Sequence, residues 1–307
     1  MEDQIAEYND NLELYLRQVG RIFDIPSIVN EPQERPQIVN YYLKNKLTYR
    51  LGYNWEGFLH CGISYDGKYK KEDLKEPARV VEGYIRDIGA KNVLELAYGL
   101  GPNSAFLARR NPLVTFEGVD LSLEPLKRYT KMPNLHFQFG DYHDLNNFED
   151  NAYDLVFVIE ALCYSPNKLQ VLREVKRKLK REGLFIVIDA YRRDRPRPLS
   201  QSEETMWKLI EKSVSIDKFE CVEGVDSYMR EEYSITAVKD ITQCVLPSLE
   251  KQESKVRYYF AHPTFARAVN KLVPFDVVKN AIALLLLPTS VGREIGCHYI
   301  HVLKNGK

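Results

Sequence analysis

The residues best placed to do chemistry are four carboxylates that close successive apolar runs. Glu95 lies in Val93-Leu94-Glu95-Leu96-Ala97, Asp120 ends Val114–Asp120, Asp141 follows Leu135–Gly140, and Glu160 ends Tyr153–Glu160. After the first run comes Tyr98-Gly99-Leu100-Gly101-Pro102-Asn103-Ser104, two glycines leading into a helical pattern. Glycine lets backbone approach a ligand and tolerates positive φ, and a helix start offers free N–H groups. Asp120, at the end of the next run, is placed to accept both hydroxyls of a ribose. These spacings predict a nucleoside-bearing ligand. Glu95 discriminates between ligand classes, because a carboxylate repels a pyrophosphate but attracts an ammonium or a sulfonium. Ser104 also stands where a dinucleotide loop has its third glycine or an alanine.

These carboxylates need a sheet to hold them. From Asn92 onward, short apolar runs alternate with amphipathic segments, the rhythm of a parallel sheet buried on both faces. Strands are predicted over Asn92–Ala97, Val114–Asp120, Leu135–Gly140, Tyr153–Glu160, Leu184–Ala190, Tyr233–Asp240 and Cys297–Leu303. Helices are predicted over Asn103–Arg110, Leu123–Lys131 and Lys168–Lys180. The expected fold class is therefore α/β, a doubly wound sheet with its ligand chemistry beyond the carboxyl ends of the strands.

Ahead of the sheet, helices are expected over Glu2–Phe23, Ile38–Leu51 and Lys71–Ile88, with an aromatic loop from Tyr53 to Tyr65. Residues 1–75 are read as an N-terminal helical lid on a domain spanning 76–307, which carries helical insertions at about 192–231 and 243–293. The arginine- and proline-rich stretch Arg192–Pro198 reads as a solvated connector, and Leu284–Leu287 as core of the outer helix layer. Asp154 is read as ordering the start of its strand.

Composition narrows the function classes. The 307 residues include 43 basic and 43 acidic side chains, so no net field favours a nucleic-acid backbone. Five scattered cysteines without a CxxC pair indicate neither a disulfide framework nor a zinc site. The longest apolar run, Ala281–Leu287, is shorter than the roughly 18 residues of a membrane span, and the acidic start is unlike a signal peptide. A cytoplasmic location is expected. His298 and His301, three apart in a strand, should point to opposite faces and cannot share one metal, and no spacing calls for a metal elsewhere.

From Pro77 to Ala190 the chain resembles the class I S-adenosylmethionine-dependent methyltransferases, which implies a seven-stranded Rossmann-like sheet. The family's acidic-x-G-x-G-x-G motif reads Glu95-Leu96-Ala97-Tyr98-Gly99-Leu100-Gly101, with Ala97 in place of the first glycine. Val119-Asp120-Leu121-Ser122 is similar to its ribose segment, and Gly140-Asp141-Tyr142 to the segment that accepts the adenine amine and lines the ring pocket. The resemblance thus implies S-adenosylmethionine as cofactor, bound by Glu95, Ala97, Gly99, Gly101, Asp120, Leu121, Asp141, Tyr142 and Glu160.

Glu160-Ala161-Leu162-Cys163-Tyr164-Ser165-Pro166 is similar to a segment of the sterol C-methyltransferases, although Tyr164 stands where those enzymes commonly have histidine. The run Tyr53–Tyr65 resembles the aromatic, histidine-bearing loop of that family and of the tocopherol and small-amine methyltransferases. By this resemblance His60, Glu160 and Tyr164 are the candidate catalytic residues. Trp55, Tyr65, Tyr258 and His262 are the candidate acceptor contacts, under a roof made by the C-terminal helices.

The reaction expected is methyl transfer to a small, largely apolar acceptor, with C-methylation of an isoprenoid, sterol-like or other lipid substrate first. O- or N-methylation of a natural product is the alternative. A nicotinamide-dependent oxidoreductase and a catalytically silent, partner-binding relative are the further readings. The expected partners are the acceptor and a second copy of the chain as a homodimer, with neither nucleic acid nor an integral membrane segment.

Overall fold

The structure is a computed structural model and describes residues 2–32, 56–121 and 131–306. The helices expected over 38–51 and, up to its last residue, 123–131 lie outside the described residues, as does Trp55. The strands are β1 (Asn92–Leu96), β2 (Thr115–Asp120), β3 (Leu135–Phe139), β4 (Tyr153–Ile159), β5 (Leu179–Arg192), β6 (Ser234–Asp240) and β7 (Gly296–Lys304). They form one seven-stranded sheet in the order β3-β2-β1-β4-β5-β7-β6, parallel except that β7 runs antiparallel to both β5 and β6. The order reverses direction at β1 and β4, so a crevice opens beyond their carboxyl ends.

Two apolar layers cover the two faces of the sheet. Helices α1 (Glu2–Gly20) and α2 (Ile25–Val29) precede the covering helices α3 (Glu76–Asp87) and α4 (Pro102–Arg110). Val81, Ile85, Leu107 and Ala108 of α3 and α4 pack with Val93, Phe116 and Phe157 on one face. On the other, α5 (Lys168–Lys178) brings Val171, Leu172 and Val175 against Leu94, Val156 and Phe185. The helix expected over Lys71–Ile88 is split into a 3-10 turn, Lys71–Lys75, and α3. Pro77 is the cause: it lacks an N–H and suits only a first helical turn.

β5 begins five residues before its predicted start, because Leu179 pairs with Tyr153 ahead of a register shift. Asp154 orders that edge as expected, accepting the backbone N–H groups of Lys91 and Asn92 at 2.8 and 2.9 Å.

A third apolar cluster lies above the crevice. It combines α1, α6 (Gln201–Ser213), α8 (Thr242–Ala261) and α10 (Phe275–Gly292), through Leu12, Tyr15, Val19, Met206, Ile210, Phe260, Ile282 and Leu286. Helix α1 is thus built into the roof. The remaining helices are α7 (Val222–Glu232) and α9 (Pro263–Leu272).

Helix α10 is long and apolar enough to cross a membrane by length and composition, yet 56% of it is buried inside the protein. The arginine-rich connector is more than a solvated link. Arg195 and Arg197 join Arg293 around the fully buried Glu203, whose carboxylate also accepts the Ser200 N–H at 2.8 Å and so caps α6.

Candidate active site

The crevice holds a cavity of about 380 Å³, lined from the strand ends on one side to the roof helices on the other. The loop after β1 forms its floor. Ala97, Gly99 and Gly101 all adopt positive φ, at 54°, 56° and 76°. The alanine therefore takes the left-handed conformation that a glycine there would take freely, at a cost of roughly 1–2 kcal/mol. The loop is tied to β2 at both ends. Ala97 N–H donates to the Val119 carbonyl at 2.7 Å, and Asp120 Oδ2 accepts the Gly99 N–H at 2.9 Å. Gly118 admits the Tyr98 ring beneath β2, since a Cβ there would meet Phe137 at 2.7 Å and Tyr98 at 2.8 Å.

Asp120, Leu121, Asp141, Tyr142 and Glu160 line this cavity together with Ala97 and Gly99. Asp141 Oδ1 accepts the His143 N–H at 2.9 Å and faces the ring Nδ1 at 2.6 Å, while His143 Nε2 lies 2.8 Å from Ser165 Oγ. Tyr142 donates its hydroxyl to the Ala161 carbonyl at 3.1 Å. The loops after β3 and β4 are thereby clamped to each other. His143 is a wall residue that the sequence reading passed over.

Glu95 and Gly101 do not line the cavity. Gly101 caps α4. Glu95 sits one layer behind, 2% exposed, where it accepts the Ser104 N–H at 3.2 Å and Asn103 Nδ2–H at 3.3 Å, and also bonds Ser104 Oγ. This corrects the expectation of direct contact: Glu95 reaches a ligand only through the helix start that it holds. Burial raises its pKa to about 7.

Glu160 faces the cavity with backbone φ of 46°, a strained value for a non-glycine residue. Its Oε1 accepts the Cys61 N–H at 3.0 Å, and burial raises its pKa to about 7 as well. Among the causes that set the Glu160 pKa there is no lysine or arginine of the described residues to hold its charge. A cationic ligand would supply that missing countercharge, so the donor set suits a sulfonium nucleoside.

The segment Phe58–Ser64 crosses the crevice between α8 and the Lys71–Lys75 turn. Gly62 N–H donates to Ser248 Oγ at 3.0 Å, and Ser64 N–H to the Cys244 carbonyl at 2.7 Å. This places His60 and Cys61 in the cavity wall. His60 Nδ1 lies 2.9 Å from the Cys61 carbonyl and Nε2 3.0 Å from Asn103 Oδ1, and burial lowers its pKa. Both ring nitrogens thus face oxygen atoms of the wall, and the neutral ring donates to one of them.

Tyr164 and Cys163 line the cavity, and the Cys163 N–H donates to Asp189 Oδ2 at 3.0 Å. Fully buried at the end of β5, Asp189 braces that turn.

Three expected acceptor contacts lie elsewhere. Within the tight turn from Ser64 to Gly67, Tyr65 stands on the surface, 53% exposed, with Lys239 Nζ 4.7 Å from its ring. Tyr258 is 61% exposed and stacks on His262 at 4.0 Å, on the outer side of α8. Helical periodicity explains the miss: the inward face of α8 is carried by Leu249, which does line the cavity.

The roof end of the cavity is instead lined by Val214, Ile216 and Phe219 after α6, Ala190 on β5, and Leu284 and Leu287 on α10. The Leu284–Leu287 run divides, with Leu285 and Leu286 buried in helix packing and the two flanking leucines facing the cavity. His298 also lines it, whereas His301 turns to the other face, toward Asp226 at 2.9 Å.

Comparison with known proteins agrees with this geometry. Residues 94–187 match the family model described as a methyltransferase domain. A demethylmenaquinone methyltransferase of Thermotoga maritima is 33% identical over 118 residues, 38% of this chain and 51% of that protein. A phthiotriol/phenolphthiotriol dimycocerosates methyltransferase of Mycobacterium tuberculosis strain H37Ra is 33% identical over 106 residues, 34% of this chain and 39% of that one. The chain therefore spans about half or less of the length of these relatives. A solved geranyl diphosphate methyltransferase, in complex with GPP and sinefungin, superposes with a TM-score of 0.64 at 15% identity, covering 88% of this chain and 98% of that one. Sheet order, the loop after β1 and the family match together show that the chain carries a methyltransferase domain over residues 94–187, on the fold of its structural neighbours.

Proposed function

We propose that the protein methylates a small, apolar, lipid-like acceptor, with C-methylation of an isoprenoid or sterol-like chain as the leading reaction. The observation that carries this reading is the continuity of the cavity: donor-type groups at the strand ends open directly onto an aliphatic and aromatic roof with Glu160 at the junction. The names of the relatives, which point to a quinone and to long-chain lipids, support an apolar acceptor.

S-adenosylmethionine supplies a methyl group on a sulfonium whose positive charge leaves with the transferred carbon. The chain does the rest. Asp120 accepts ribose hydroxyls, and Tyr142 beside Asp141 lines the adenine. Glu160 and the Tyr164 ring face the positive charge that develops toward the acceptor. Ile216, Phe219, Leu284 and Leu287 exclude water and hold the acceptor in line, which is where much of the rate gain of such a transfer arises.

Both His60 nitrogens are turned to wall oxygens, which favours an acceptor that needs no prior deprotonation by this ring. A second reading, O-methylation, draws on Glu160: its pKa of about 7 suits it to take a proton from a hydroxyl or carboxylic acid. Incubation with methyl-labelled S-adenosylmethionine and a panel of prenyl diphosphate, quinol, sterol, fatty acid and small polar amine separates the two. An alkali-stable carbon-bound label supports C-methylation, an ester or ether label supports the second reading, and label on polar amines alone contradicts both.

A further inference from the structure

At the junction of the donor and acceptor halves three side chains of different chemistry converge: the Cys61 thiol, the Glu160 carboxylate and the His298 imidazole. Their candidate ligand atoms all lie within 4.8 Å of one another. Each lines the cavity, and each is set by a different element: the crossing segment, the end of β4, and β7. We propose that Cys61, Glu160 and His298 form a binding site for a zinc-class divalent transition-metal ion, with an open coordination position facing the acceptor.

The donor set is one thiolate, one imidazole and one carboxylate. That combination suits a borderline-soft ion such as zinc and does not suit magnesium or calcium, which take oxygen ligands. Three protein ligands with a fourth position open to a cavity is the pattern of reactive rather than structural zinc sites. Tetrahedral ligands at zinc distances of about 2.0–2.3 Å stand roughly 3.5 Å apart, so closure by side-chain rotation over about an ångström completes the site.

One observation points directly to a ligand here. His298 is 5% exposed, and its Nδ1 is buried with no hydrogen-bond partner among the described residues, a costly state that a coordinated ion relieves. The Cys61 N–H also donates to Glu160 Oε1 at 3.0 Å, which orients the carboxylate against the cysteine as outer-shell hydrogen bonds do in metal centres. An ion there would bind a polar oxygen at the reactive end of an otherwise apolar acceptor. The proposal does not depend on methyl transfer itself, since the three ligands are brought together by the fold alone.

The test is a titration of the chelator-treated full chain with Co²⁺, read by absorption. Wild type is expected to show a saturable near-ultraviolet thiolate-to-cobalt charge-transfer band that Zn²⁺ bleaches. Cys61→Ser is expected to abolish the band, and His298→Gln to weaken Co²⁺ binding by about tenfold or more. Retained binding of S-adenosylhomocysteine shows that each variant is folded. No band in wild type, or an unchanged titration in a folded Cys61→Ser or His298→Gln variant, overturns the proposal. If Cys61→Ser does not fold, His298→Gln alone decides it.

Discussion

The two halves of the cavity are built by different means. The donor half is assembled within the segment from β1 to the end of β4, from loops that each follow a parallel strand, so neighbouring strands deliver Gly99, Asp120 and Asp141 side by side, with Glu160 after β4 at the seam. Its polar atoms are locked to backbone, as in the Gly99–Asp120 and Tyr142–Ala161 bonds. The acceptor half draws on the crossing segment, β5, β7 and three helices, and its wall is mostly apolar. A sheet edge can keep its geometry while roof residues change. Such a molecule can hold one cofactor fixed and let the acceptor vary.

The sharpest way to break this division is at its seam. Glu160→Gln keeps the shape and removes the charge that faces the acceptor. It is expected to slow turnover by roughly 10²–10³-fold, the range seen when a preorganised electrostatic group is lost, while the S-adenosylhomocysteine Kd stays within about threefold. Loss of both in parallel would place Glu160 in the donor half.

Acidity separates the halves next. Burial holds a proton on Glu95 up to about pH 7, against 4.5 when exposed, so the folded state binds the extra proton. The stability this provides is full below 4.5 and is lost as pH rises through 7. His298 behaves oppositely: burial lowers its pKa from 6.5 to about 4, so its contribution is full above 6.5 and is lost as pH falls through 4. In denaturant titrations across pH 4–8, Glu95→Gln should leave a profile that rises with pH relative to wild type. His298→Gln should leave one that falls. The differences are expected at roughly 1–3 kcal/mol, and parallel profiles would contradict the assignment.

Leu284→Ala tests the roof. It should raise the acceptor KM by about 1–2 kcal/mol of lost apolar contact, or move preference toward bulkier acceptors, without altering donor Kd. The smallest effect is expected from Tyr258→Ala, an exposed residue outside the cavity: stability within about 0.5 kcal/mol and kinetics unchanged. A marked rise in KM there would return Tyr258 to the acceptor site.

The same division governs what could be read from the chain. Strand runs, the glycine loop and the carboxylates at strand ends are local patterns, so the sheet and most of the donor wall were legible. Glu95 was legible as a buried carboxylate but not as one that acts through Asn103 and Ser104, because only packing shows which layer it occupies. His143 and Asp189 carry no motif; they became visible when their partners Ser165 and Cys163 arrived from other loops. On the acceptor side, Tyr65, Tyr258 and His262 were chosen for residue type. Helix phase and a turn at Gly67 decided otherwise, and the wall was made by Val214, Ile216 and Phe219, ordinary core residues in sequence. Strand alternation sets His298 and His301 on opposite faces, but not which of them meets the cavity, and the neighbours Cys61 and Glu160 lie too far along the chain for spacing to reveal.

The central claim is that the strand-end carboxylate of β2 holds the nucleoside of the methyl donor. Calorimetric titration of S-adenosylhomocysteine into wild type and Asp120→Ala tests it most directly. Binding to wild type that weakens by roughly 1–3 kcal/mol in a folded Asp120→Ala variant is the result expected for loss of a charged hydrogen bond. An unchanged Kd, or binding of NADH in place of S-adenosylhomocysteine, would contradict it.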